Sequence, residues 1–208
     1  MRALPYLQTD NKLINTAFRV ARGDSVGNIQ PFQDGLLEQP QPCILAGLEY
    51  DTPWTRDTAI NVWNGGGLIF PEASRSTLLS VLERSADGKI RIGGQYWDAI
   101  IWVTGAWAYY LYTGDREMLA LAFEATRNSL AHFEATELNP ATGLFRGPAC
   151  YGDGVAAYPD RYAQTGGSSS ILAWPGCNPD KVSKPGVGIP MQALSTNCLY
   201  YNAYRLMG

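Results

Sequence analysis

Residues 97–113 read WDAIIWVTGAWAYYLYT, and apolar side chains occupy nearly every face that a helix over this stretch would have. A surface helix confines its apolar residues to one stripe, so an all-round apolar helix is one that is buried on every side. Gly114 is a typical helix stop, and Asp115 is a typical cap for the helix that follows. The stretch therefore predicts a central helix on which the other elements pack.

Amphipathic helices are predicted before and after this central helix. The following stretch, DREMLALAFEATRNSLAHFEATEL, carries apolar residues on one side, namely Met118, Ala122, Ala125 and Phe133. Near the start of the chain, residues 10–22 carry an apolar stripe, with Thr9 or Asp10 as cap and Gly23 as stop. These are the fifth and the first of six predicted helices.

The remaining helices are marked by their end signals. The second opens near Asp57 and ends at the glycines of residues 65–67. Pro71 occupies a first-turn position of the third, PEASRSTLLSVLERSADG. The sixth covers about Met191 to Met207. Six helices in which a buried one precedes an amphipathic one favour inner and outer layers of helical hairpins.

Two long segments show no sustained period. They are residues 23–53 and roughly fifty residues after Asn139-Pro140, both rich in turn-forming residues. We expect irregular loops that shape a site, with a short hairpin in the second segment. The predicted fold is therefore all-α with long loops, and residues 1–208 form a single unit.

Composition narrows the class of partner. The 208 residues are 46% hydrophobic and 12% aromatic, which is enough for one substantial core. Formal net charge is only −3, and the Lys and Arg residues are scattered, so no basic stripe indicates a nucleic acid or an anionic membrane. An uncharged ligand fits this composition better.

The sequence shows neither a membrane span nor a signal peptide. No apolar run reaches the roughly 20 residues that a bilayer requires, and MRALPYLQTDNK lacks the apolar region of a signal. We expect a soluble chain, which is cytoplasmic or, with a signal removed ahead of the initiator Met, periplasmic or secreted.

No metal or cofactor is expected. Cys43, Cys150, Cys177 and Cys198 lack CxxC spacing and a nearby histidine, and we interpret them as idle thiols. His132 lies in a predicted surface helix and is interpreted as structural. The Asp-rich loops offer no EF-hand spacing for calcium.

The stretch YDTPWTRDTAINVW, residues 50–63, gives the second helix an uncommon beginning. Asp57 is a good N-cap, because the free amides and the positive end of the helix dipole stabilise its carboxylate. Capping does not account for Trp54 and Arg56 beside it. An aromatic face that stacks on a sugar ring, next to an arginine and a carboxylate that bind vicinal hydroxyls, is typical of a carbohydrate subsite.

The same composition recurs at GGQYWDAIIW, where the most buried helix begins with Tyr96, Trp97 and Asp98. Asp98 is again explained equally well as a cap. If both helices belong to the inner layer and run the same way, their N-terminal ends meet at one rim. We therefore predict one pocket, formed by Trp54, Arg56, Asp57, Trp97 and Asp98.

A third carboxylate lies in the loop RGPACYGDGVAAYPDRY. Asp153 stands between glycines with Tyr151 nearby, and Asp-Gly by itself favours a plain turn. The length of the loop and the two other carboxylate sites favour a function instead. A carboxylic acid beside an aromatic ring in a partly desolvated cleft can keep its proton near neutral pH and act as a general acid.

These motifs resemble those of the six-hairpin glycosidases, whose catalytic domain is an (α/α)6 barrel, as in glucoamylase, trehalase and the glucosidase part of glycogen debranching enzyme. PWTRDTAI resembles the W-x-R-D-T segment that opens the second helix of the debranching-type members. YWDAIIWVTGAWAYYLYTGD resembles their fourth helix, D-x-x-x-W followed by aromatics and Y-x-x-TGD. CYGDG is more loosely similar to their W-x-DG acid loop.

The resemblance implies an (α/α)6 toroid, of which about six helices here are the N-terminal half. It implies that Trp54, Arg56, Asp57 and Asp98 bind the sugar at the cleavage subsite and that Asp153 donates the proton. We add to the binding set Tyr96, Trp97 and Tyr151. Hydrolysis in this clan is inverting, so a second carboxylate activates water across the sugar, and we expect that base outside this chain.

The predicted function is an inverting, exo-acting glycoside hydrolase for α-linked glucoside-type oligosaccharides. A phosphorylase on the same barrel would need a basic anion site, and a non-catalytic carbohydrate-binding or structural module would tolerate replacement of Asp153. A half barrel exposes an apolar edge, so we expect a fragment, or assembly with a complementary chain or a second copy.

Overall fold

Helices dominate the computed structural model, which describes residues 4–94, 96–150 and 191–208. They are α1 Lys12–Gly27, α2 Thr55–Asn61, a π-helical turn Val62–Gly66, α3 Gly67–Ile69, α4 Pro71–Ser80, α5 Tyr96–Ile100, α6 Trp102–Thr113, α7 Arg116–Thr136 and α8 Leu194–Met207. The described residues also form three antiparallel hairpins, β1 Ile29–Phe32 with β2 Gln41–Ile44, β3 Leu82–Arg84 with β4 Ile90–Ile92, and β5 Leu138–Asn139 with β6 Leu144–Phe145. The predicted all-α class is thus confirmed as a mainly helical fold with short hairpins.

The central helix predicted from residues 97–113 is present as α5 and α6, which Ile101 joins. Trp102 is fully buried, and its indole N–H donates a hydrogen bond of 3.2 Å to the Leu78 carbonyl of α4. All-round burial does not reach the last turn, where Leu111 is exposed. The centre of the core is therefore the first two-thirds of this helix.

The end signals of this helix are confirmed. Gly114 adopts the left-handed conformation, with a φ of 69°, and ends α6. The Asp115 carboxylate then accepts a hydrogen bond of 2.9 Å from the Met118 amide at the first turn of α7. The residues predicted to form the buried side of α7 are all buried, namely Met118, Ala122, Ala125 and Phe133.

Helices α2 and α6 pack backbone against backbone. A Cβ atom added at Gly105 would lie 2.7 Å from the Ala59 Cα and 2.9 Å from the Ala59 carbonyl oxygen. No side chain fits there, so glycine on α6 and alanine on α2 set the spacing of the two helices. Both residues are buried, so this close contact belongs to the core of the fold.

Three helices run in the same direction. Arg56 at the start of α2 pairs with Asp98 of α5, and the Tyr112 hydroxyl at the end of α6 donates to the Trp63 carbonyl, just past α2, at 3.0 Å. Contacts at both ends in this order require parallel axes. For α8, the Asn202 amide in its second half donates to the Thr104 hydroxyl at 3.1 Å, while the start of α8 lies beside Tyr96.

A second layer of helices runs the other way. Leu78, near the end of α4, contacts Trp102 at the start of α6, whereas Arg75 of α4 pairs with Asp115 beyond the end of α6 at 3.1 Å. Helix α7 returns along α6 after the turn at Gly114. The described chain is therefore a set of helical hairpins in two layers, with α2, α5–α6 and α8 in one and α4 and α7 in the other.

The two ends of this assembly are connected differently. The end where α2, α5 and α8 begin, which we call the rim, carries β3–β4, β5–β6 and the turn of β1–β2. The Phe145 amide of β6 donates to Asn197 near the start of α8, and Gly35 lies against the Ser80 carbonyl at the end of α4. At the opposite end the connections are short: the kinked turn after α2 and the turn between α6 and α7. The rim thus carries the longer and more varied connections.

Helix α1 differs from its prediction at both ends. Asn11, rather than Thr9 or Asp10, is the N-cap, and its side chain accepts hydrogen bonds from the backbone amides of Leu13 and Ile14. Gly23 does not end the helix, which continues to Gly27 with Asn28 as C-cap. A glycine in an exposed helix weakens it by only about 1 kcal/mol, so a single glycine is not a reliable stop.

Two hairpins lie where the sequence predicts other structure. The third predicted helix is α4, and it ends at Ser80. Residues 82–84, which the sequence places in that helix, form β3 instead, because the Asp87-Gly88 turn folds them back on β4. Hairpin β1–β2 lies inside residues 23–53, which were predicted to be irregular. It is held to α4 by a hydrogen bond of 2.8 Å from the Ile44 amide to the Thr77 hydroxyl.

The second helix also begins and ends differently from its prediction. It starts at Thr55, two residues before Asp57, with Trp54 as a cap residue that makes no side-chain capping bond. The glycine triplet does not end the helical path but kinks it, at Gly65 with a φ of 124°. Pro71 does occupy the first position of α4, as predicted.

Large apolar side chains are exposed on α1 and elsewhere in the described part of the chain. Along α1, which the structure describes in full, no side chain is buried, and Leu13 is 80% exposed. Other large exposed apolar side chains are Leu111, Phe123, Leu194 and Tyr201. None of the helices in the described part of the chain combines the length and the apolar character that crossing a membrane requires.

Replacing Gly105 is expected to destabilise the fold by pushing α2 away from α6. Gly105→Ala should lower the free energy of unfolding by about 1–3 kcal/mol, the usual cost of overpacking. Gly23→Ala is the matched control, since a Cβ atom there meets nothing within 4 Å and the residue lies in an exposed helix. Urea unfolding should show the control unchanged or slightly more stable. Equal effects at the two positions would contradict the backbone contact.

Cys43 is expected to make stability depend on alkaline pH. The residue is fully buried, and burial raises the pKa of its thiol to about 11, against hydrogen bonds with Thr77 and Ser80. The unfolded chain ionises this thiol near its ordinary pKa of 9.0. The stabilisation is therefore complete below pH 9 and is lost as the pH rises through 11, a change of about 2–3 kcal/mol.

The measurement is the free energy of unfolding of the wild type and of Cys43→Ala between pH 8 and pH 11. The wild type should lose more stability than the variant over this interval, whatever constant offset the missing thiol introduces. Parallel curves would show that the thiol does not titrate with folding.

Candidate functional site

The first turns of α2 and α5 meet at the rim through a three-residue charge cluster. Arg56 lies between two carboxylates, with its Nε 3.7 Å from an Asp57 oxygen and its Nη1 3.8 Å from an Asp98 oxygen. The side chains are 24%, 30% and 27% exposed, respectively. The structure therefore brings together three of the predicted site residues in a partly desolvated position.

Trp97 provides an aromatic surface beneath the cluster. The Arg56 guanidinium carbon lies 5.4 Å from the centre of the Trp97 ring, within the range of a cation–π interaction. Trp97 is itself only 3% exposed and packs with Ala59, Tyr96 and Ile101. Its role at this site is to position the arginine rather than to offer an open face to a ligand.

Asp57 and Asp98 occupy equivalent positions in their helices. Each is the third residue of its helix, after Thr55-Arg56 and after Tyr96-Trp97. The alternative reading of both as N-caps is therefore wrong, although a carboxylate in the first turn still gains from the helix dipole. The third position directs both carboxylates towards the shared rim, where Arg56 lies.

Trp54 is the exposed aromatic residue of the set. It precedes α2 and is 55% exposed, whereas Tyr96 and Trp97 are buried. Of these three predicted aromatic contacts, the structure therefore leaves one with an open ring face. Trp54 also lines a cleft on the side of α2 that faces the β hairpins.

Tyr96 starts α5 in a strained conformation. Its φ is +51°, which is rare for a residue with a large side chain and costs roughly 1–3 kcal/mol. Gly147 faces it, because a Cβ atom added there would lie 3.3 Å from the Tyr96 Cβ and Cδ1 and from a Thr196 methyl. The position of Tyr96 is thus fixed by contact with the segment that precedes the acid loop and with α8.

That segment, residues 145–150, is anchored along the start of α8. The Phe145 amide donates to the Asn197 side chain at 2.8 Å, and the Cys150 amide donates to the Ser195 hydroxyl at 3.0 Å. The Thr196 hydroxyl donates to the Pro148 carbonyl. These hydrogen bonds hold the chain that follows β6 against the start of α8, at the rim.

Cys150 ends this segment against the site. It packs on the cluster that contains Tyr96 and Trp97. Burial raises the pKa of its thiol, and the negative charge of Asp98 raises it further, while hydrogen bonds to Ser195 and Thr196 oppose the shift. Cys150, the last described residue before the segment that holds Asp153, therefore lies against the residues that precede Asp98.

The remaining predicted residues cannot be placed. Asp153 and Tyr151 lie outside the described residues, as do Gln95 and Cys177. His132 is exposed on α7, in agreement with its predicted surface position. Among the described residues no group of three or more His, Cys, Asp or Glu side chains is arranged to hold a metal ion.

Sequence reasoning missed the residues of the cleft beside Trp54. Its walls include Phe32 of β1, Asp34 of the following turn and Glu83 of β3. The sequence predicts an irregular segment around Phe32 and Asp34, and it predicts a helix that includes Glu83. The sequence signal that could have found these residues is a turn motif, in particular Asp87-Gly88, which is typical of a β-hairpin.

Comparisons with protein-family models, with curated proteins and with solved structures give no match for this chain. The functional interpretation therefore depends on the residues themselves and on the geometry in which the fold places them.

Gly147→Ala is expected to disturb Tyr96 and to destabilise the rim. The new methyl group would press on the Tyr96 Cβ, which the strained backbone prevents from moving. Gly143→Ala is the control for a glycine with open surroundings: its φ of 68° is easier for alanine than the 151° of Gly147, and a Cβ atom there meets nothing within 4 Å. Thermal unfolding should show that Gly147→Ala costs about 1–2 kcal/mol more than the control. Equal costs would mean that Gly147 is needed only for its backbone conformation.

Proposed function

We propose that this chain is part of an inverting, exo-acting glycoside hydrolase of the six-hairpin type, acting on α-linked glucoside-type oligosaccharides. The observation that carries the proposal is the meeting of Arg56, Asp57 and Asp98 at the first turns of two parallel helices. These are the residues that the resemblance assigns to the sugar at the cleavage subsite. Asp98 lies 42 residues after Arg56 in the sequence, and the parallel packing of their helices brings the two together.

The chemistry of the cluster suits a sugar. Carboxylates accept hydrogen bonds from hydroxyl groups, and a guanidinium donates to hydroxyl oxygens, so neighbouring hydroxyls on one ring can be held from both sides. The group is about one-quarter exposed, and Trp54, which is 55% exposed, precedes Arg56 by two residues. A partly buried polar floor beside an aromatic face is the usual composition of a small-molecule site.

The helix directions support an (α/α)6 arrangement. In such a barrel the inner helices run parallel and the outer helices return antiparallel, so every inner helix begins at the same end. Helices α2, α5–α6 and α8 fit the inner role, and α4 and α7 fit the outer role. The exposed apolar side chains of α1 support further hairpins packed beside it, and we propose that these supply the general base.

The proposed proton donor is Asp153. It follows Cys150 by three residues, and three peptide units span at most roughly 11 Å. Cys150 packs on the cluster of Tyr96 and Trp97, the residues that precede Asp98, so the segment that leads to Asp153 starts next to the proposed sugar site. The donor role requires a carboxyl group that keeps its proton until the glycosidic oxygen takes it.

A non-catalytic carbohydrate-binding module is the second candidate. One observation favours it: both described carboxylates, Asp57 and Asp98, are paired with Arg56, which suits binding better than proton transfer. In this alternative the acid loop has no chemical role, and replacing Asp153 changes neither sugar binding nor sugar release.

The proposal predicts sugar release that depends on Asp153. A panel of α- and β-linked disaccharides and oligosaccharides is incubated with this chain and with any longer reading frame that contains it, with and without phosphate. Asp153→Asn should lower the rate by about 10²–10⁴-fold, the usual contribution of general acid catalysis. Proton NMR of the first product should show inversion, so that an α-linked substrate yields the β-anomer.

Two further variants separate the candidates. Asp98→Asn should weaken sugar binding itself, while Asp24→Asn, on the exposed face of α1, serves as the matched control and should leave both binding and release unchanged. Binding without release in any form, insensitive to Asp153→Asn, would support the binding module. Neither binding nor release in any form would overturn both candidates.

A further inference from the structure

A second recess lies at the rim on the other side of Trp54. It has a volume of about 250 Å³ and lies between the β1–β2 hairpin, the start of α2 and the β3–β4 hairpin. We call it the Trp54 cleft and define it by Phe32, Asp34, Trp54, Thr55, Ser80 and Glu83. Its volume is just below the roughly 300–1,000 Å³ typical of ligand pockets, which suits a single sugar unit.

Glycines fix the walls of the cleft. Gly35 has a φ of +61°, and a Cβ atom there would lie 2.5 Å from the Ser80 carbonyl oxygen, so the β1–β2 turn lies directly on the end of α4. A Cβ atom at Gly93 would lie 2.9 Å from the Val81 carbonyl oxygen. Because backbone contacts on both sides hold these turns, the recess belongs to the fold itself.

The floor joins the cleft to the charge cluster. The Thr55 hydroxyl donates to the Gly93 carbonyl at 3.1 Å, linking the start of α2 to the strand end that precedes α5. Thr55 is the neighbour of Arg56, and the exposed Trp54 borders the cleft. Consecutive Cα atoms lie about 3.8 Å apart, so the backbone of the cleft residue Thr55 directly adjoins that of Arg56, and this proximity supports neighbouring ligand units at the two places.

The lining has the chemistry that a sugar ring requires. Phe32 and Trp54 offer aromatic surface, and Trp54 is more than half exposed. Asp34 and Glu83 are exposed carboxylates, and the Asp34 side chain is held by a hydrogen bond of 2.7 Å from the Gly35 amide. Aromatic faces together with acceptors for hydroxyl protons suit a polyol.

The charge of the lining selects against anions. Within the described residues no Lys or Arg lines the cleft, and none lies within ion-pair distance of Asp34 or Glu83. An anionic ligand unit would meet two carboxylates, and the nearest cations, Arg56 and Arg91, each already pair with other carboxylates. Two like charges about 4 Å apart repel by roughly 1 kcal/mol even in bulk water, which is about a fivefold change in affinity.

We propose that the Trp54 cleft is a subsite for the sugar unit that adjoins the one held by Arg56 and Asp98, and that it accepts neutral units and discriminates against uronic acids and sugar phosphates. This assignment rests on the proposed carbohydrate function and extends it to the substrate class. Phe32 supplies the stacking face of the subsite, and Glu83 supplies the hydroxyl acceptor and the charge selection.

The first test compares ligands of one and two or three units. Isothermal titration of the 208-residue chain with glucose, maltose and maltotriose should show tighter binding of the longer probes. Phe32→Leu keeps an apolar side chain but removes the ring, and it should weaken maltotriose about tenfold while changing glucose less than about twofold.

The second test concerns charge. The probes are maltose and the same disaccharide with glucuronic acid as its reducing unit, which should bind about fivefold more weakly to the wild type. Glu83→Gln keeps the size of the side chain and should narrow that ratio to less than about twofold. Glu124→Gln is the matched control, because Glu124 is an exposed carboxylate on α7 outside the cleft, and it should leave the ratio unchanged.

The outcomes separate the subsite from the function beneath it. If Asp98→Asn weakens glucose binding but Phe32→Leu and Glu83→Gln change neither the length dependence nor the charge ratio, the cleft assignment is wrong and the proposed function stands. If the wild type binds none of the probes, both are overturned. Loss of the length dependence in Phe32→Leu together with loss of the charge ratio in Glu83→Gln supports the subsite.

Discussion

The contact between Gly105 and Ala59 is the constraint on which the rest of the structure depends. Without a side chain between them, α2 and α6 approach to backbone distance, and this spacing holds from the rim to the opposite end. Because the two helices are parallel, α2 and the α5–α6 helix both begin at the rim. Arg56 then reaches Asp98, although each residue by itself belongs to a different hairpin. The charge cluster therefore depends on helix packing as well as on the attraction between its charged groups.

The arginine between the two carboxylates offsets their repulsion in a partly desolvated position. Two carboxylates at converging helix ends would repel each other, and burying either of them alone would be costly. Arg56 neutralises part of this charge and rests on the buried ring of Trp97. Its own position depends on the packing of that ring, so the polar site and the apolar core beneath it form one unit.

The elements that could be predicted from the sequence are those with a strong period or an unambiguous end signal. The all-round apolar stretch at residues 97–113, the Asp115 cap and the buried side of α7 follow directly from side-chain physics, and the chain folds accordingly. The missed elements are short. A strand of three residues, such as β3, shows too little alternation to outweigh a helical period that runs into it, and hairpin pairing is decided by tertiary contacts with α4.

The site was predictable to the same extent, and for the same reason. Arg56, Asp57 and Asp98 lie on helices whose direction follows from their order, so their meeting could be foreseen. Phe32 and Glu83 lie on hairpins that were not recognised, and nothing in a local pattern indicates that two turns from different parts of the chain face each other. The strained backbone of Tyr96 is equally invisible in the sequence, because it arises from the surrounding contacts.

The two ends of the helical layers differ in the sequence changes that they tolerate. At the end with tight turns, an insertion would disturb helix packing and would be selected against. At the rim, the exposed turns of the three hairpins can lengthen, shorten or exchange residues, whereas strand residues such as Cys43, Leu82 and Ile92 are buried in the core. A scaffold of this kind can acquire new ligand preferences by altering its connections alone. Libraries randomised at the exposed turn residues of β1–β2 and β3–β4 would therefore retain folded members far more often than libraries of equal size in the helices.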